Sequence, residues 1–180
     1  MSLLFGLRVA LAAAIVAVAA ALAPPAMAQL TLGSPGDPPR MEVGAGAFDV
    51  TPSSSHRDAQ TAAEFRGEYH FGDVLWVISP FVGASVTTDG AFYGYGGFGF
   101  DINFTPSIVL TPNAAAGYFE RGTGTRLGSW MEFRTGAELA YRFPDSTRLG
   151  LAVNHTSNAG LTKRNPGEQS ILLMYSLPMP

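Results

Sequence analysis

Two residues toward the end of the chain could perform a hydrolysis between them. His155 and Ser157 stand two apart in Leu149-Gly150-Leu151-Ala152-Val153-Asn154-His155-Thr156-Ser157. A serine hydroxyl attacks a carbonyl at neutral pH only when a base takes its proton, and an imidazole is suited to that task. Side chains alternate along a strand, which puts His155 and Ser157 on one face with Leu149, Leu151 and Val153. Same-face neighbours at this spacing are close enough for the transfer. A nucleophile and base so placed address whatever the aliphatic face addresses; if that is lipid, the chemistry is on lipid.

The following turn suits the same reaction. Asn158-Ala159-Gly160 offers backbone N–H groups, and Asn158 its amide, to a developing oxyanion, while Gly160 lets a carbonyl come close to the backbone. Asn165, Pro166 and Gly167 shape the return into the last strand, and Asn165 is also a candidate substrate contact. Lys163 and Arg164 are either solvated loop charges or partners for anionic phosphates. His56 and His70 have no ligand spacing around them, so neither a metal site nor a cofactor is expected.

The elements that must position these residues are strands. Apolar residues are spread in alternation, and 21 glycines and 13 prolines argue against long helices. Eight strands are predicted: Met41 to Thr51, Ala59 to Phe71, Pro80 to Thr88, Ala91 to Ile102, Ser107 to Phe119, Trp130 to Phe143, Arg148 to Ser157 and Gln169 to Leu177. Thr88-Asp89-Gly90 and Pro144-Asp145-Ser146 are short turns, whereas longer polar links follow strands one, five and seven. Short turns at one end and long loops at the other are the asymmetry of membrane barrels.

Strand six shows two faces. Glu132, Arg134, Glu138 and Arg142 alternate with Phe133, Leu139, Tyr141 and Phe143. A soluble barrel would turn the charges to water; a membrane barrel turns them into the lumen, where opposite signs pair, and gives the aromatics to lipid. The mixed signs of Glu68, Glu132, Arg134, Glu138 and Arg142, and aromatics such as Trp76, Tyr118, Trp130 and Tyr175 near the interfaces, favour the membrane case. The expected fold is all-β, an eight-stranded antiparallel outer-membrane β-barrel over residues 41–180.

The start of the chain agrees. Arg8, the apolar run Val9 to Leu22 and the small-x-small ending at Ala28 predict a signal peptide over residues 1–28, cleaved near Ala28. Residues 29–40, rich in Pro and Gly, are expected to be a flexible N-terminal leader. The chain has no cysteine, so it has neither a lipid anchor on cysteine nor a disulfide framework. Without Arg8, ten Lys+Arg stand against fourteen Asp+Glu, and no basic stripe marks a nucleic-acid partner. Whether the barrel forms a homodimer is left open.

His155-x-Ser157-Asn158-Ala159-Gly160, then Asn165-x-Gly167, then a last strand ending at Leu177-Pro178 resembles the PagL-type lipid A 3-O-deacylases of the Gram-negative outer membrane. Ala45 to Val50, Pro80 to Gly83, Leu127 to Ser129 and Glu132 to Arg134 extend the likeness from about Val43 to Pro178. The resemblance implies an eight-stranded barrel that acts on lipid A of lipopolysaccharide. It would hydrolyse the 3-linked acyl ester without a metal, using His155 as base and Ser157 as nucleophile. The family orients its imidazole with a glutamate twelve residues after the serine, and here that position is Gln169. Glu168 would serve only through a bulge or a frayed strand start, because one residue's offset reverses the face. Gln169 could serve through its amide oxygen. The other reading of the chain is a non-catalytic structural barrel with an incomplete triad, and a weaker one is a soluble barrel holding an apolar ligand.

Overall fold

Alternation along each strand, with charge on one side and hydrocarbon on the other, closes this chain into a ring. The computed structural model describes residues 30–52, 60–72, 74 and 76–180. The expected signal peptide and His56 lie outside the described residues. The strands are β1 (Thr31–Leu32), β2 (Arg40–Phe48), β3 (Ala62–His70), β4 (Ile78–Thr87), β5 (Phe92–Phe100), β6 (Ile102–Asn103), β7 (Ile108–Glu120), β8 (Met131–Arg142), β9 (Arg148–Ser157) and β10 (Glu168–Pro178).

The eight long strands pair with their sequence neighbours, all antiparallel, and β10 closes on β2 from Ile171↔Ala47 to Pro178↔Arg40. Closure leaves no barrel strand with an unpaired edge, which a lipid-facing sheet requires. β6 continues β5 past Asp101, and β1 pairs with β6. The fold is an eight-stranded antiparallel barrel of the outer-membrane type, as the sequence predicts.

The two faces are inverted relative to a soluble protein. Glu42, Glu64, Glu68, Glu132, Glu138, Arg66, Arg134 and Arg148 are buried, while Val43, Phe65, Val82, Phe98, Leu151, Val153, Leu173 and Leu177 are exposed. Inside, Arg134 donates to Glu68 across the barrel at 2.9 Å, Tyr95 donates to the same carboxylate oxygen at 2.6 Å, and the Arg134 guanidinium lies 4.2 Å from the Tyr95 ring centroid. Arg66 bonds Glu64 at 2.8 Å. Of the charges expected to pair with one another, Glu68 and Arg134 do so, whereas Arg142 pairs with Asp37 and Asp101.

The strand directions put the links after β2, β4, β7 and β9 at one end of the barrel. Three of these are the long loops. The short turn at Thr88-Asp89-Gly90 falls at that end too, and the β7–β8 loop packs on it, Thr123 N donating to Asp89 O at 2.9 Å. The first described residues, from Leu30, and the end of β10 lie at the opposite end.

There the segment read as a leader makes definite contacts. Ser34 Oγ donates to Asp101 Oδ2 at 2.6 Å, and Asp37 accepts from Arg148 at 2.8 Å. Burial disfavours the charge on Asp101. Arg148, donating to it at 2.7 Å, and then Arg40 and Ser34 outweigh that and hold its carboxyl well below the usual range.

Candidate active site

β9 is paired on both sides, so the faces of its last residues are fixed by two registers at once. His155 lies opposite Thr135 of β8 and Gln169 of β10, and Ser157 lies opposite Phe133. His155 is exposed and Ser157 half-buried, on the outer wall with exposed Leu149, Leu151 and Val153. The pair therefore stands on the lipid-facing surface at the long-loop end.

Gln169 is the residue brought to the imidazole. Its Nε2 lies 3.2 Å from His155 Nδ1, and its Oε1 is in hydrogen-bond contact with Thr51 Oγ1. Val50 N–H donates to Gln169 O at 2.8 Å and ties down the start of β10.

Glu168 points the other way. It pairs with Thr156 in a regular ladder, is 1% exposed, and faces the lumen, where Asp49 N–H donates to its Oε2 at 3.4 Å. The bulge that would bring Glu168 to His155 does not form, because pairing is already in register at Glu168 and Gln169.

The turn after Ser157 is held by Asn158, which is fully buried. Its Nδ2 donates to Leu127 O, Thr162 Oγ1 and Arg164 O at 3.0, 3.1 and 2.7 Å, and its Oδ1 accepts Gly160 N–H at 3.0 Å. Asn158 N–H is taken by Asn165 Oδ1 at 3.0 Å. The Asn158 amide is thus committed to the loop, and Asn165 serves it as a clasp. Ala159 and Gly160 are both left-handed, with φ of 52° and 83°. Of the three N–H groups expected to meet an oxyanion, that of Ala159 has no acceptor among the described residues.

Two contacts at this site carried no sequence signal. Thr51 reaches Gln169 from 118 positions away, after a left-handed turn at Asp49 (φ 51°). That turn is braced by Thr125 Oγ1 donating to Asp49 Oδ2 at 2.7 Å and Thr61 Oγ1 donating to Asp49 O at 2.8 Å. Burial pushes the Asp49 carboxyl up despite the Thr125 bond.

Gly167 is the second. At φ 65° it packs on the imidazole, and a Cβ there would lie 2.6 Å from His155 Cε1. Its turn role was legible; its role as the floor under the ring was not.

A separate group lies inside the barrel. His70 Nε2 is 3.0 Å from Glu42 and 2.9 Å from Glu68, and Arg40 donates to Nδ1 at 3.2 Å. A ring nitrogen that accepts from Arg40 is unprotonated, so Nε2 carries the proton that both carboxylates receive. Glu42, Glu68 and His70 could also supply ligand atoms to a cation. They converge from adjacent strands and from positions two apart, a pattern that ligand spacing does not capture.

A closed, charge-filled barrel with a hydrocarbon outer wall defines the class: an eight-stranded β-barrel of the outer-membrane type. Residues 62–178, well over half the chain, match the family model described as lipid A 3-O-deacylase (PagL). The chain belongs to that family, whose members are esterases that deacylate lipid A.

Among solved structures, the crystal structure of the outer membrane enzyme PagL is similar at a TM-score of 0.57 and 20% identity, covering 78% of this chain and 99% of that one. The Yersinia pestis outer membrane protein Ail gives 0.47 at 11% identity, covering 78% and 99%. De novo designed transmembrane β-barrels give 0.48 at 16%, covering 79% and 97%. No curated protein matches the chain in sequence.

Proposed function

We propose that the chain hydrolyses the 3-linked acyl ester of lipid A, with Ser157 as nucleophile and His155 as base. The observation that carries this is the placement of both on the lipid-facing wall, with Gln169 at His155 Nδ1. Ser157 Oγ attacks the ester carbonyl carbon as His155 Nε2 takes its proton. The oxyanion formed draws on the free N–H of Ala159. Collapse breaks the bond to the sugar oxygen, which leaves with the proton from His155, and the acyl group stays on Ser157. Water then attacks the acyl-serine, His155 again acting as base, and the fatty acid is released.

Lys163 and Arg164 are exposed in the β9–β10 loop, and their charges suit the phosphates of lipid A. The signal peptide is removed near Ala28, which N-terminal sequencing of the inserted protein checks.

A second reading is supported by one observation: as placed, the neutral Gln169 turns its N–H end toward His155 Nδ1. An imidazole held that way keeps its proton on Nε2 and cannot accept one from Ser157, which describes an idle barrel. The test is the mass of lipid A from a Gram-negative host expressing the full chain. Loss of one 3-linked hydroxyacyl mass, abolished by Ser157→Ala, supports the enzyme. Inserted but silent wild type supports the structural barrel.

A further inference from the structure

Gln169 stands between two partners and has one end of each kind. A half-turn about its last side-chain bond exchanges which end His155 receives and which end Thr51 receives. With N–H toward the ring, Nδ1 must be bare and Nε2 protonated, so the ring cannot serve as base. With Oε1 toward the ring, Nδ1–H donates and Nε2 is free to take the serine proton. That second orientation sends Nε2–H of Gln169 to Thr51, and a hydroxyl, unlike a fixed donor, can accept it.

We propose that Thr51 is a positioning residue of the hydrolytic site: its hydroxyl accepts Gln169 Nε2–H and so turns Oε1 to His155 Nδ1–H. The inference rests on the hydrolase reading above. It explains how a glutamine can do the work of the missing glutamate. As the imidazolium forms during attack, both ring nitrogens must donate, and the amide can meet Nδ1–H only with its oxygen. Thr51 completes that orientation instead of leaving an amide N–H without a partner at the lipid boundary, where unmade hydrogen bonds are costly.

The surroundings fix Thr51 for this task. Asp49 turns left-handed at the end of β2 and is gripped by Thr125, Thr61 and Glu168. Val50 N–H bonds the backbone of Gln169 itself. The hydroxyl of Thr51 is thereby presented to the Gln169 amide from a backbone already docked on the same residue.

The test is a double-mutant cycle with Thr51→Val, Thr51→Ser and Gln169→Glu on the detergent-purified full chain, read as kcat and KM on lipid A. Thr51→Val should lower kcat on the order of tenfold to a hundredfold, the scale at which groups behind a working imidazole act, with KM little changed, and Thr51→Ser should restore it. In the Gln169→Glu background both ends of the side chain are alike, so Thr51→Val should cost little. An unchanged kcat in Thr51→Val, or the same loss in both backgrounds, overturns the proposal. A second readout needs no turnover: ¹⁵N NMR of His155 should show the Nδ1–H tautomer in wild type and its loss in Thr51→Val. A wild-type ring protonated on Nε2 overturns the proposal even if no lipid A is cleaved. Failure of the hydrolase reading shows separately, as activity that survives Ser157→Ala.

Discussion

Glu168 and Gln169 are adjacent in sequence and face opposite sides of the barrel wall, the acid into the lumen against Thr156 and the amide outward against His155. The carboxylate next to Gln169 in sequence is therefore one that cannot touch the imidazole.

Gln169→Glu is accordingly expected to raise kcat, since a carboxylate stabilises the imidazolium more than a neutral amide does. In serine proteases the reverse change costs on the order of 10⁴ in turnover; Thr51 should make the gain here smaller. Glu168→Gln should leave kcat on lipid A nearly unchanged. Steady-state deacylation by the purified variants checks both, and a large loss in Glu168→Gln would return the acid role to the lumen side.

Gly167→Ala tests the floor beneath the ring. A left-handed φ disfavours any side chain by roughly 1–2 kcal/mol, and the new methyl would meet His155 Cε1 at 2.6 Å. The ring must move. Because displacement of a reacting group by about 1 Å can cost on the order of 10² in rate, kcat should fall by about that factor while far-UV circular dichroism still reports the barrel. Unaltered turnover would show that the imidazole tolerates the shift.

Asp101 gives a prediction in pH. Its carboxyl is held below the ordinary range, against the cost of burial, chiefly by Arg148. A depressed carboxyl binds its proton less readily when folded than when unfolded. Its stabilisation is therefore complete above the unfolded value of about 3.9 and is lost as pH falls through the folded value. Unfolding in detergent should show wild type more stable than Asp101→Asn from neutral pH down to about 4, with the gap closing in stronger acid. A gap independent of pH would assign the effect to packing.

Much of the barrel was legible because a strand in this setting is an alternation that lipid and lumen both enforce. Arg148 to Ser157 was bounded from sequence as it stands in the structure, and the other barrel strands differ at their ends, where turns decide. The faces of Glu132, Arg134 and Glu138 were legible for the same reason. The alternation also placed Gln169 with Ile171 and Leu173, on the side where His155 is found. What could not be read was pairing between distant elements. Nothing in the sequence of Thr51 points to Gln169, and nothing in Asp37 points to Arg148 at the far end of the barrel. The sequence offers the Asn158 amide to an oxyanion; the loop instead closes over it through Leu127 and Arg164.

The pairing of β10 with β2 has a consequence for timing. Thr51, Val50 and Asp49 come from the end of the first barrel strand, Gln169 and Glu168 from the start of the last, and they meet only across that seam. During assembly, an inserting sheet whose first and last strands have not yet joined carries His155 and Ser157 with their support absent. On the proposed mechanism, competence for chemistry is thus coupled to completion of the ring, and a half-built chain in transit would have no finished site with which to attack the lipids it passes.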